Sequence, residues 1–208
     1  MSSTLRQRRR EQTIQAILDA ALELTRASGS SGWTMRELAD RIDFTTTATY
    51  RYFASKDDVL SALVEDALAG LREQLERAAG SAQPDGTPID AVFGAAIAYL
   101  DYARDNPTHF RLAFIDFPSQ RTSLDQSSSP RSPYLVLLNA VEQAVESGEL
   151  AATPTFGPEQ ITYTIWSTVH GMAVLETIHL QDFDAEFRAP AEHGIRCLLA
   201  GLAATGQE

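Results

Sequence analysis

Residues 34–56 read TMRELADRIDFTTTATYRYFASK, and the fold turns on how this stretch is read. Thr34 stands three residues before Glu37. That is the spacing of a capping box, in which each side chain satisfies a backbone N–H at a helix start. Leu38, Ala39 and Ile42 give the short helix that follows an inward face. Asp43 falls where a tight turn needs a left-handed backbone, which glycine adopts easily and aspartate tolerates. Phe44 is expected to anchor that turn in the core. Thr45 suits the N-cap of a second short helix, Thr45 to Phe53. Thr46, Thr47 and Thr49 are β-branched and poor helix formers, so local propensity does not account for them. Their hydroxyls can meet phosphates and base edges, and a threonine methyl can meet a thymine methyl. Ala48 is small and permits close approach. Ser55 caps a longer helix, and Asp57 and Asp58 lie in its first turn, where the helix dipole favours anions. Lys56 is the only lysine beside sixteen arginines. At a helix start, an ammonium and the backbone N–H groups can share one phosphate. A helix, a tight turn and a hydroxyl-rich helix suit a DNA groove better than a core; the competing reading is a polar surface helix that binds nothing.

Charge is distributed to match. The chain of 208 residues has a net charge of −11, yet residues 1–56 hold nine basic groups against six acidic ones, and residues 57–208 hold eight against twenty-two. Local cations matter for nucleic acid, because local phosphate neutralisation releases counterions. Arg6, Arg8, Arg9 and Arg10 form a basic arm that is either a phosphate or minor-groove contact or a solvated tail. The start, MSSTLRQRRR, lacks the apolar segment of a signal peptide, and the apolar runs are too short to span a bilayer. The single Cys197 cannot form an internal disulfide, which agrees with a reducing compartment. The expected location is therefore the cytoplasm, with no membrane partner.

Outward from the central stretch, almost every segment reads as helix, with no internal repeat. A first helix, from about Leu5 or Arg9 to Ser28, carries Ile14, Ile17, Leu18, Ala21 and Leu22, with Leu24 at its flank, and stops at Gly29. The helix after Ser55 carries Val59, Leu60, Leu63, Val64, Ala67, Leu68, Leu71 and Leu75. Pro88, Pro107, Pro133 and Pro158 each open a further helix, as proline does at a first helical position. The Pro107 helix carries Phe110, Leu112, Phe114, Ile115 and Phe117. Gly148 ends the Pro133 helix, and the Pro158 helix runs to about Leu180. A last helix, from about Pro190 to Ala204, shows small residues at Gly194, Cys197, Ala200, Gly201 and Ala204, which let another helix approach closely. The Ser-rich segment from Ser119 to Ser132 is expected to be a loop.

The pattern WTMRELADRIDFTTTATYRYFASKDDVLSALV resembles the helix-turn-helix of TetR-family transcriptional regulators, over roughly residues 9–71. The matching marks are the long first helix ending in glycine, Thr34 before Leu38-Ala39, Tyr50-x-x-Phe53, and Ser55-Lys56 followed by acids and apolar residues. The run Trp166-Ser-Thr-Val-His170-Gly171 is similar to the Trp…His-Gly signature of one C-terminal subgroup of that family. Two positions depart from the family pattern: Asp43 stands where glycine is usual, and Thr47-Ala48-Thr49 replaces Gly-Thr-Leu or similar. The resemblance implies an all-α homodimer. Residues 9–71 would form the DNA-binding domain, with the helix-turn-helix motif at 34–53. Residues 72–208 would bind a small molecule and dimerise through the C-terminal helices. It also implies roles for single residues. Thr34 and Arg36 would meet phosphate or base edges, and Thr45, Thr46, Thr47 and Thr49 would present to the major groove. Tyr50 and Tyr52 would pack on or hydrogen-bond the backbone, and Lys56 would bind a phosphate.

The expected function is a DNA-binding transcriptional regulator, most simply a repressor released from a palindromic operator on double-stranded DNA by a small effector of apolar or aromatic character. An activator, or a regulator whose C-terminal helices only dimerise or bind a protein, stays open. Aromatic and mildly polar residues of the second helix set mark the candidate effector pocket: Tyr99, Tyr102, Phe110, Phe114, Tyr163, Trp166, His170 and Glu176. An enzyme is not expected. Glu176-x-x-His179 is a single motif where a di-iron bundle needs two, plus two further glutamates. No Gly-rich phosphate loop, Cys cluster or G-x-S-x-G elbow is present, so no metal and no cofactor are expected.

Overall fold

The computed structural model describes residues 2–80, 86–116 and 132–204. Phe117, the linker at 81–85 and the Ser-rich segment up to 131 lie outside the described residues. The described residues form helices without strands, and they fall into two compact units. Residues 2–67 and 108–116 make the first, and residues 68–80, 86–107 and 132–204 the second. The boundary expected at 71–72 falls inside one continuous helix, and the helix opened by Pro107 groups with the N-terminal residues.

In the first unit, α1 (Ser2–Ser28) starts earlier than the sequence pattern suggested, so Arg6, Arg8, Arg9 and Arg10 lie on a helix as exposed side chains. Arginine, glutamine and leucine are good helix formers, and no breaker precedes Gly29. Gly29, with φ +77°, stops the helix as expected. Next come α2 (Met35–Arg41), α3 (Thr46–Thr49) and α4 (Lys56–Gly80). The α3 helix is shorter than the expected Thr45–Phe53. Beyond Tyr50 three-residue bonds enter: Arg51 N–H donates to the Ala48 carbonyl at 3.2 Å and Tyr52 N–H to that of Thr49 at 2.9 Å, which also accepts the Phe53 N–H at 3.2 Å. Three threonines in one turn supply little helical propensity to carry it further. The apolar stripe of α4 is buried at every position from Val59 to Leu75 named above. Helix α6 (Pro107–Arg111) continues as a π-helical turn, Leu112–Asp116, and buries Phe110 and Leu112.

In the second unit, α5 (Pro88–Asp105) packs on α7 (Pro133–Glu146), α8 (Pro158–Val174) and α9 (Arg188–Ala204), and α8 also packs on α7 and α9. Proline opens α5, α7 and α8 as anticipated. A π-helical turn, Leu175–His179, extends α8. Val92, Ala95, Ala96, Val141, Ile161 and Ile195 form part of the core.

Candidate nucleic-acid interface and effector region

Three devices hold the helix-turn-helix. The capping box forms: Thr34 N–H and Oγ1 donate to Glu37 Oε2 at 2.7 and 2.8 Å, and Glu37 N–H donates to Thr34 Oγ1 at 3.3 Å. Arg41 ties α2 to α1 through Glu23 at 2.6 Å. Asp43 has φ 54°, the one positive φ outside glycine among the described residues. Around it, Asp43 N–H donates to the Asp40 carbonyl at 3.4 Å and Phe44 N–H to the Ala39 carbonyl at 2.9 Å. Those two bonds make a Schellman motif, with aspartate where glycine is commonest. Phe44 is half-buried, with its ring 6.4 Å from that of Tyr52.

On this frame Thr34, Arg36, Thr45, Thr47 and Tyr50 are exposed, and Thr46 and Tyr52 are half-exposed. Thr45 caps α3, its Oγ1 accepting the Ala48 N–H at 3.1 Å. Arg36 has only a 4.0 Å approach to Asp40. Thr49 departs from expectation. It is 0% exposed, and its hydroxyl points back to the Thr45 carbonyl at 3.4 Å. A side chain four residues past the cap lies on the inward face of this single turn, so Thr49 is a packing residue and cannot present to a groove. Lys56 Nζ donates to the Trp33 carbonyl at 2.6 Å and sits 4.5 Å from the centre of the Trp33 ring. Burial lowers its pKa from the ordinary value, against the fields of Asp57 and Glu37, which raise it. Trp33 itself is 2% exposed and donates its indole N–H to Thr25 Oγ1 at 3.0 Å. Trp33 is not among the residues that the sequence pattern marks for this site. Its place just before a capping threonine was the available signal, since residues there commonly pack against the helix they precede.

Residues 17–63 match the family described as bacterial regulatory proteins of the tetR family, and residues 92–198 match a tetracyclin repressor-like C-terminal domain. The chain belongs to the TetR family. A relative, the HTH-type transcriptional regulator Rv1816 of Mycobacterium tuberculosis strain H37Rv, is 24% identical over 155 residues. That stretch covers 74% of this chain and 66% of the relative's length. Among solved structures, a protein of unknown function from Rhodococcus sp. RHA1 superposes with a TM-score of 0.77 at 20% identity, covering 91% of this chain and 95% of that one. A regulatory protein of the tetR family from Rhodococcus RHA1 gives 0.67 at 19% identity, covering 91% and 96%. These likenesses show the fold.

In the second unit of this TetR-family chain, the expected effector residues are only partly brought together. Tyr99, 4% exposed on α5, has its hydroxyl 2.8 Å from His170 Nδ1 on α8. Burial raises the phenol's pKa, opposed by a hydrogen bond with Trp166, and burial lowers that of His170. The phenol therefore stays protonated and the imidazole neutral at pH 7, and the direction of the hydrogen bond between them follows the imidazole tautomer. The Trp166 ring lies 5.8 Å from His170 and meets Tyr134 edge-on at 6.1 Å. Glu176 is held by Arg104 through two bonds of 2.6 and 3.0 Å. Arg104 also meets Asp101, which pairs with Arg188, so one ionic network joins α5, the turn after α8 and the start of α9. Tyr102 is buried, its hydroxyl 3.3 Å from where a side chain at Gly70 would begin.

Three further expected members lie elsewhere. Tyr163 is 59% exposed, because it lies about half a helical turn from both Ile161 and Ile165, which face in. Phe110 and Phe114 lie with ring centres 5.1 Å apart in the first unit, where α6 groups. A cleft of about 480 Å³ in the second unit is lined by Gln74, Arg77, Phe93, Ile97 and Asp101 among others, and includes none of the expected residues. Among the described residues, no three His, Cys, Asp or Glu side chains gather as metal ligands, and no helix is long and apolar enough to cross a membrane.

Proposed function

We propose that this protein is a cytoplasmic, homodimeric, DNA-binding transcriptional repressor that a small apolar or aromatic molecule releases from a palindromic operator. It acts by binding and not by catalysis. The observation that carries the reading is the exposure of Thr45, Thr47 and Tyr50 on a capped helix-turn-helix, with an exposed Arg36 on α2 and Lys56 at the start of α4. Hydroxyls on α3 suit base edges and phosphates, while Arg36 and Lys56 supply the charge that phosphates need.

Dimerisation is supported by the outward faces of α8 and α9. Tyr163, Ser167 and Gly171 are exposed at helical spacing on one, and Cys197, Ala200 and Gly201 on the other. A side chain at Gly171 or Gly201 would meet open space within this chain, which leaves room for a partner helix. A dimer must hold its two recognition helices about 34–36 Å apart to reach successive major grooves. An effector that binds only a differently spaced state lowers DNA affinity by its differential affinity for the two states. The cluster Tyr99, Trp166 and His170 is the proposed effector contact, offering ring faces and a few fixed polar atoms. Helix α4 carries residues of both units and is the proposed link.

The deciding experiment selects bound duplexes from a random pool at stated salt. A palindromic consensus is expected, and no enrichment at moderate salt would sink the reading. Titrating effectors onto the selected duplex then tests release; a bound effector that leaves DNA affinity unchanged removes the coupling.

A further inference from the structure

Lys56 is the first residue of α4, and its ammonium reaches back across the helix-turn-helix to the residue just before the α2 cap. There it finds two acceptors from one residue: the Trp33 carbonyl at 2.6 Å and the Trp33 ring face at 4.5 Å. Trp33 is itself pinned, through its indole N–H, to Thr25 on α1 at 3.0 Å. Thr25 and Trp33 are both buried, so this anchor is rigid. We propose that Trp33 is the positioning residue for Lys56, holding the ammonium in advance at the point where it meets a DNA phosphate; this rests on the DNA-binding reading above.

The chemistry of an ammonium makes the arrangement useful. It has three N–H donors. The Trp33 carbonyl takes one, and the ring attracts the cation electrostatically without consuming a directional bond. Donors therefore remain for a phosphate oxygen while the four-carbon stem is already ordered. A flexible lysine would lose that freedom on binding, and ordering a rotamer-rich side chain costs about two- to tenfold in affinity.

The full chain has one lysine, so protein grown with 13C,15N-lysine gives one lysine side-chain signal set. In the DNA-free protein the Lys56 ε-methylene is expected upfield of free lysine, from the indole ring current, and to titrate below its ordinary value. A free-lysine shift and titration would overturn the proposal without any variant. The second arm is a double-mutant cycle on a duplex enriched by the wild-type protein. Trp33→Leu should weaken binding about two- to tenfold when Lys56 is present and leave it unchanged in a Lys56→Gln background. Trp33→Phe, which keeps a ring, should retain most of the effect. Equal losses in both backgrounds would make Trp33 merely structural and overturn the proposal while DNA binding stands. If Trp33→Leu does not fold, the Lys56 signal in wild type and in Trp33→Phe decides alone. Failure of the wild-type protein to bind any duplex would remove both the function and this role.

Discussion

Asp43 provides a test with opposite signs for similar substitutions. Its φ of 54° lies in the left-handed region, where an L residue carries a cost of roughly 1–2 kcal/mol that glycine avoids. The conformation is imposed by the Schellman bonds from Asp43 to Asp40 and from Phe44 to Ala39, so it will persist in variants. Replacing Asp43 by Gly relieves that strain, but the unfolded chain gains freedom worth about 0.4–1 kcal/mol. The balance is a net stabilisation between about zero and about 1.6 kcal/mol, centred near about 0.8 kcal/mol. Asp43→Val keeps the strain and adds β-branching, and should destabilise by at least about 1 kcal/mol. Asp43→Asn removes the charge while tolerating the same backbone, and should change stability by less than about 0.5 kcal/mol. Urea denaturation of the three variants, read by circular dichroism, measures the series. If Asp43→Gly were less stable than the parent, or Asp43→Val equal to it, then the turn would not be strained. The Asn variant also separates charge from backbone in DNA binding: both Gly and Asn should bind DNA more tightly than Asp at low salt, and equally so.

Other expectations follow from the same geometry. Thr47→Val should change which duplex sequences are selected, whereas Thr49→Val, at a buried site, should leave the selected consensus unchanged; the same shift from both would mean that Thr49 reads bases after all. Thr25→Val keeps shape but leaves the Trp33 indole N–H buried without its acceptor, and should cost about 1–3 kcal/mol in urea melts. For His170, the folded pKa is lowered by burial, so below about pH 6.5 the unfolded chain takes up a proton that the folded one refuses. Stability should be full above that pH and fall as pH drops towards the folded value. His170→Asn should flatten part of that slope, with His109, also lowered by burial, supplying the rest. An unchanged slope in the variant would place the titration elsewhere.

Much of the fold is legible in the sequence because its governing interactions are short in sequence. Thr34 and Glu37 stand three residues apart, the left-handed demand at Asp43 is set by its neighbours, and α4 repeats its apolar residues at helical spacing. Prolines opening α5, α7 and α8, and Gly29 ending α1, act within one turn. These effects survive any tertiary arrangement, so sequence alone determined an all-helical chain with a capped helix-turn-helix near its start.

What tertiary structure decided is which face each residue shows and which distant groups it meets. Thr47 and Thr49 are chemically identical and two residues apart, yet one is exposed and the other fully buried, because the inward side of α3 is fixed by the helices around it. Lys56 lies twenty-three residues from Trp33, and only folding brings the ammonium to that carbonyl and ring. Tyr163 and Trp166 share a helix, but the packing of α8 exposes the first and sets the second between Tyr134 and His170. Phe110 and Phe114 group with the N-terminal helices although they follow α5 in the chain. Composition marks a residue as able to read, clamp or line a pocket; the neighbours that desolvate it, pair it or leave it in water come from elsewhere in the chain.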